Sequence, residues 1–199
     1  MGSMPHDGPG LLLAAFPPEL AGLDREPPPG WTVAVAGVGA VAAASATARN
    51  LARGSFARAL FVGTCGAYDA RLAPGDLLSA SEVVATSLEE LDGRAYRPEV
   101  EVVRWAPGFP LPLPGHPVAV PPAITRTEEG ARALARVAAA EHLELSGVFA
   151  ACAAAGVPVA AGLAVANRVG PGAHAEWMAR HEGASRALVT ALRERGVLC

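Results

Sequence analysis

Lysine is absent from this chain of 199 residues: all 16 basic side chains are arginine, set against 19 acids for a formal net charge of −3. That balance argues against a nucleic-acid-binding surface. The arginine-only usage, beside abundant Ala, Gly and Pro, reads as a GC-rich coding bias. Cysteine is scarce as well. The three present, Cys65, Cys152 and Cys199, are odd in number and unrelated in spacing. A disulfide framework or a zinc site is therefore not expected, no metal or cofactor is called for, and a reducing cytoplasm fits. Long apolar runs are missing too, although 51% of the residues are hydrophobic. The longest, Val148 to Ala166, is mostly Ala and is broken by Gly156, Pro158 and Gly162, so helix plus strand is expected there rather than a membrane span. The N-terminus lacks a basic region, which argues against a signal peptide, and Met1-Gly2-Ser3 before Met4 reads as a tag remnant. No internal repeat, low-complexity tail or charge block is visible. What remains is one domain over residues 10–199, long enough for a substantial core, after a disordered leader over 1–9.

Taken in order, the chain alternates strand and helix. Leu11 to Phe16, between Gly10 and Pro17, forms a first strand, with Glu19 just behind it. Asp24 to Gly30 is a turn, and Trp31 to Gly37 a second strand. A helix opens at Gly37-Val38-Gly39, where backbone N–H groups can face a ligand; a lone G-x-G is no dinucleotide fingerprint. A buried strand ends at Gly63, followed by a loop of small residues, Thr64, Cys65, Gly66 and Ala67, that lets backbone approach a ligand closely. Leu88 to Pro122 turns proline-rich and is expected to be irregular, since Pro is excluded from a central strand; Val100 to Trp105 is a candidate strand inside it. The apolar residues around Phe109 are the candidate contact with a partner. Ala123 to Thr125 makes a short strand, and Thr127 caps a helix running to Ala140. The next helix carries Glu144 and stops at Gly156 and Pro158. Val157 to Ala166 is a buried strand with Asn167 at its carboxyl end, the end where open α/β sheets bind ligands. A final helix spans Ala173 to Arg195, with His174 and His181 on a solvated face. This alternation predicts a single sheet covered by helices on both faces.

Several of these stretches resemble one family. HLE (His142 to Glu144) is similar to the M-E signature of the nucleoside phosphorylase and nucleosidase superfamily. VANRVGPGAHAEW (Val165 to Trp177) resembles the S-N-x-V-x-x-x-x-x-x-W segment of its futalosine hydrolase branch, and ITRTEEGARALA (Ile124 to Ala135) a further segment of that branch. Gly63 to Ala67 resembles the G-T-x-G-A loop under the ribose, with Gly75-Asp76 after it. The resemblance implies a three-layer α/β/α domain around a mixed sheet, assembled as a homodimer or larger.

It also implies roles. Glu19, at the end of an A-x-E-E-E pattern that reads here Ala15-Phe16-Pro17-Pro18-Glu19, would orient the attacking water. Thr64, Cys65, Gly66 and Ala67 would lie under the ribose, and Gly37 and Gly39 beside the nucleophile. Leu143 takes the Met position, and Glu144 would accept from the 2′- and 3′-hydroxyls. Asn167 stands where adenosine-type nucleosidases carry Asp; its NH₂ suits a 6-oxopurine. Phosphorylases place an Arg two residues before the small-residue loop, and Phe61 there cannot grip phosphate. The implied activity is hydrolysis of a purine nucleoside such as futalosine, with a phosphorylase or a non-catalytic nucleoside-binding protein as the alternatives. Each residue also has a plainer reading: Glu19 a first-turn helix acid, Glu144 a salt-bridged helix acid, Asn167 a turn former. Cys65 has no His placed to activate it, so a nucleophilic role is not expected.

Overall fold

The structure, a computed structural model, describes residues 8–23 and 26–198. The tag remnant, most of the leader, and Asp24 and Arg25 of the expected turn lie outside the described residues. β1 (Gly10–Ala14) leads through a 3-10 turn (Pro17–Leu20) to β2 (Trp31–Val35) and α1 (Ala40–Leu51). β3 (Arg58–Ala67) and β4 (Leu77–Ala85) follow, then α2 (Leu88–Leu91), β5 (Arg104–Trp105) and β6 (Gly115–Val120). The chain closes with α3 (Glu128–Leu134), β7 (Ala140–Glu141), α4 (Leu145–Ala154), β8 (Val159–Arg168) and α5 (Ala173–Glu194).

The sheet is mixed, with helices on both faces. β1 and β3 are apolar without alternation because both faces are covered. Leu11, Leu13, Ala59 and Phe61 pack towards α1 and α4, whereas Leu12, Leu60 and Val62 pack towards Leu188, Val189 and Leu192 of α5. In addition the sheet curls: β3, β8, β4, β6 and β7 pair in turn until β7 returns to β3. No helix among the described residues is long and apolar enough to cross a membrane.

Five local expectations need correction. Gly63 to Ala67 are not a loop but the last half of β3, paired with β8 through a bulge at Cys65/Gly66. Small residues are needed there for close packing within the sheet: a Cβ on Gly66 would lie 2.9 Å from Asn167 Nδ2. Proline does enter an inner strand. Pro117 of β6 faces the register shift between Ala80 and Glu82 of β4, where an irregular ladder tolerates a missing donor. Phe109, Leu111 and Leu113 are not an exposed contact but are buried in the core beneath α5. Ala123 to Thr125 form no strand, and the helix capped by Thr127, which accepts from Gly130 N, stops at Leu134 so that Ala140–Glu141 can pair as β7.

Candidate active site

The carboxyl ends of β1, β3 and β8 and the segment from β7 into α4 surround a cleft of about 360 Å³. Of the residues singled out in the sequence, Glu19, Thr64, Cys65, Gly66, Leu143, Glu144 and Asn167 line it. Ala67 is fully buried and does not line it, and Gly37 and Gly39 flank the lining residue Val38 without lining the cleft themselves.

Glu19 reaches the cleft because two prolines start the 3-10 turn that turns the chain inward after β1. It is 3% exposed. Its Oε1 accepts from Thr64 N at 2.8 Å and from Thr64 Oγ1 at 2.8 Å, and its Oε2 from Ala15 N at 3.1 Å. Burial pushes its carboxyl above the usual range, opposed by nearby His142 and by these hydrogen bonds.

Glu144 is not inside a helix, as expected from sequence, but at the N-cap of α4. Its Oε1 accepts from Gly39 N, the N-cap of α1, at 2.7 Å. The positive end of the α1 dipole therefore holds the carboxylate. Oε2 lies 3.1 Å from His142 Nδ1, which is also 3.1 Å from Glu144 N. A backbone N–H only donates, so Nδ1 accepts it and the ring proton sits on Nε2; a protonated ring would turn Nδ1–H to Oε2. Each Glu144 oxygen keeps acceptor capacity for a ligand.

Asn167 Nδ2 donates to Arg168 O at 2.9 Å, which leaves its second N–H and its oxygen for other partners. Cys65 is buried, and burial with Glu19 beside it keeps the thiol protonated, in line with an inert role.

Sequence reasoning missed four residues of the cleft. Glu141 accepts from Thr125 N at 3.0 Å and Tyr68 Oη at 3.1 Å, and burial raises its carboxyl pKa. His142 is buried edge-on against Phe61, centroids 5.1 Å apart. Trp177 stands between Phe16 at 5.7 Å and His181 at 4.2 Å and donates Nε1–H to Thr64 Oγ1 at 3.1 Å. His174 and His181 are thus not simply solvated: the first lines the cleft and the second stacks on Trp177. The missed signal was the spacing of 174, 177 and 181, which stacks flat rings along one helix face.

Residues 30–143, more than half of the chain, match the Phosphorylase superfamily. Among curated proteins no sequence matches significantly. Solved structures are similar across nearly the whole fold. A futalosine hydrolase mutant of Helicobacter pylori matches at TM-score 0.79 and 19% identity, covering 94% of this chain and 98% of that one. The 5′-methylthioadenosine/S-adenosylhomocysteine nucleosidase of Helicobacter pylori matches at 0.79 and 18%, covering 94% and 97%. The nucleosidase of that kind from Colwellia psychrerythraea, complexed with adenine, matches at 0.78 and 19%, covering 98% and 97%. At these identities the likeness is one of fold. The sequence match over residues 30–143 goes further, and by it the chain belongs to the phosphorylase superfamily.

Proposed function

We propose that this chain is a purine nucleosidase that hydrolyses the N-ribosyl bond of a 6-oxopurine nucleoside, futalosine-like in its base. The observation that carries the reading is the charge of the cleft. Glu19, Glu141 and Glu144 line it with His142, and no arginine or lysine is among the lining residues. Such a wall favours the positive charge that develops on ribose and offers no guanidinium to grip phosphate. That solved structures of the same fold include nucleosidases supports hydrolysis of an N-ribosyl bond.

In this reading Glu144 accepts from the ribose 2′- and 3′-hydroxyls. Glu19 takes a proton from the water whose oxygen attacks C1′, and the burial that raises its pKa makes it a stronger base than an exposed carboxylate. The C1′–N9 bond breaks with its electron pair moving into the purine. Asn167 donates to the base at N7 or the 6-oxo group, where that charge collects. The test is release of free base from inosine, guanosine, methylthioadenosine and futalosine, with and without phosphate. Free ribose sugar without phosphate is expected; ribose 1-phosphate formed only with phosphate would overturn the hydrolase.

The choice of base is tested at Asn167. A carboxylate has no donor for a 6-oxo group but accepts from a 6-amino group. Asn167→Asp is expected to shift the ratio of kcat/KM for inosine over adenosine downward by about tenfold, the worth of one hydrogen bond. An unchanged ratio would remove Asn167 from the base site.

The homo-oligomer implied by the family resemblance is proposed to cover the cleft mouth. Val38 and Ile124 line the cleft yet are 65% and 60% exposed, and a second copy would bury them. Light scattering at micromolar concentration is expected to give a dimer or larger; a monomer would count against it.

A further inference from the structure

We infer that Trp177 is a positioning residue that directs the Thr64 hydroxyl proton onto Glu19 and so selects which oxygen of Glu19 receives the proton of the reacting water. The inference rests on the nucleosidase reading for its kinetics and on the hydrogen-bond geometry alone for its structure.

An indole N–H can only donate, whereas a hydroxyl has one proton and two acceptor sites. Trp177 Nε1 lies 3.1 Å from Thr64 Oγ1. A Thr64 proton turned towards the indole would meet another proton, so it points to Glu19 Oε1, 2.8 Å away. With Thr64 N also donating at 2.8 Å, both lone pairs of Oε1 are engaged. Among the described residues Oε2 accepts only from Ala15 N, which leaves it one lone pair. Water therefore loses its proton to Oε2. Trp177 can hold this order because its plane is fixed: His181 stacks at 4.2 Å and 16°, with Nδ1 3.1 Å from Trp177 O, and Phe16 packs beside it. Without the indole N–H the hydroxyl can rotate, Oε1 opens, and the base is divided between two oxygens.

Trp177→Phe keeps an aromatic ring and removes the donor; Thr64→Val keeps the shape and removes the hydroxyl. Each is expected to lower kcat about tenfold, and the double variant no further, because both break one chain of hydrogen bonds. A rise in KM from the smaller ring should persist in the Thr64→Val background, since it reports contact rather than proton direction. Losses in kcat that multiply would overturn the inference. Two measurements decide it without turnover, so that failure of the nucleosidase reading is seen separately. The indole ¹⁵N–¹H resonance of Trp177, identified by its loss in Trp177→Phe, should move and exchange faster in Thr64→Val; a resonance that stays in place overturns the bond. The ¹³C titration of Glu19 should rise alike in both single variants and in the double, since the other titratable groups facing the carboxyl (His142 and Cys65) and the indole (His174 and His181) are the same in all three. A rise confined to variants lacking the Thr64 hydroxyl would also overturn it.

Discussion

Glu144→Gln is expected to lower turnover of a ribonucleoside by about two orders of magnitude while leaving the fold intact, since hydrogen bonds to a charged acceptor contribute about 1.5–3 kcal/mol and tenfold in rate is about 1.4 kcal/mol. The replacement fits its surroundings. The Gln oxygen can still accept from Gly39 N, the hydrogen bond that holds the carboxylate now, while its NH₂ takes the place of the oxygen beside His142. What disappears is the charge that draws the ribose diol and offsets the positive charge on the sugar. Nucleosides lacking the 2′-hydroxyl should be poorer substrates for the wild type and lose less on Glu144→Gln. Steady-state kinetics on the paired substrates, with thermal melts to verify folding, measure this. A variant within a few-fold of wild type on ribonucleosides would remove Glu144 from the ribose site.

The second large effect is on stability. Gly147→Ala is expected to destabilise the protein by about 3 kcal/mol or more, at the upper end of overpacking costs. Gly147 lies in α4 where that helix crosses α1, and a Cβ there would sit 2.8 Å from the Ala40 carbonyl carbon and 2.9 Å from Ala44 N, closer still to Ala40 O. These are backbone atoms of the partner helix, so no rotamer change relieves them. The helices must separate, and with them Gly39 and Glu144, whose 2.7 Å bond joins the two helix starts. Gly156→Ala, past the end of α4, meets nothing within 4 Å but has a positive φ of 66°, so its cost is limited to about 1 kcal/mol of backbone strain. Denaturant melts of both variants separate the two mechanisms. A Gly147→Ala midpoint equal to wild type would mean that the helices adjust freely.

How legible these features were depends on the range of the forces behind them. The three strands that carry the site were legible because unbroken apolar runs bounded by Gly or Pro fit only strands covered on both faces. Thr127 was legible as a cap because its partner, Gly130, is three residues away. The placement of Glu19 after a first strand, and of Asn167 near the end of the last, was legible for the same local reason. Phe61 was correctly read as an apolar side chain of a buried strand.

Pro117 was misread because the rule against proline in a central strand assumes a regular ladder, and the bulge that admits it lies in β4, more than thirty residues earlier. Phe109, Leu111 and Leu113 were misread because a proline-rich apolar segment has the same composition whether it faces solvent or a helix. Only α5, far along the chain, covers it.

By itself, then, the sequence determined the class of fold, the main strands and helices before Gly75 and after Pro122, and the acid and amide types available to a site. Propensity, capping and periodicity act between near neighbours, so they are written along the chain. Tertiary structure alone decided that the sheet closes on itself, that His142 and Glu141 share the cleft with Glu19 and Glu144, and that Trp177 meets Thr64 across 113 residues. Those partnerships depend on which faces long-range packing brings within hydrogen-bond distance, and nothing in the spacing of the residues records it.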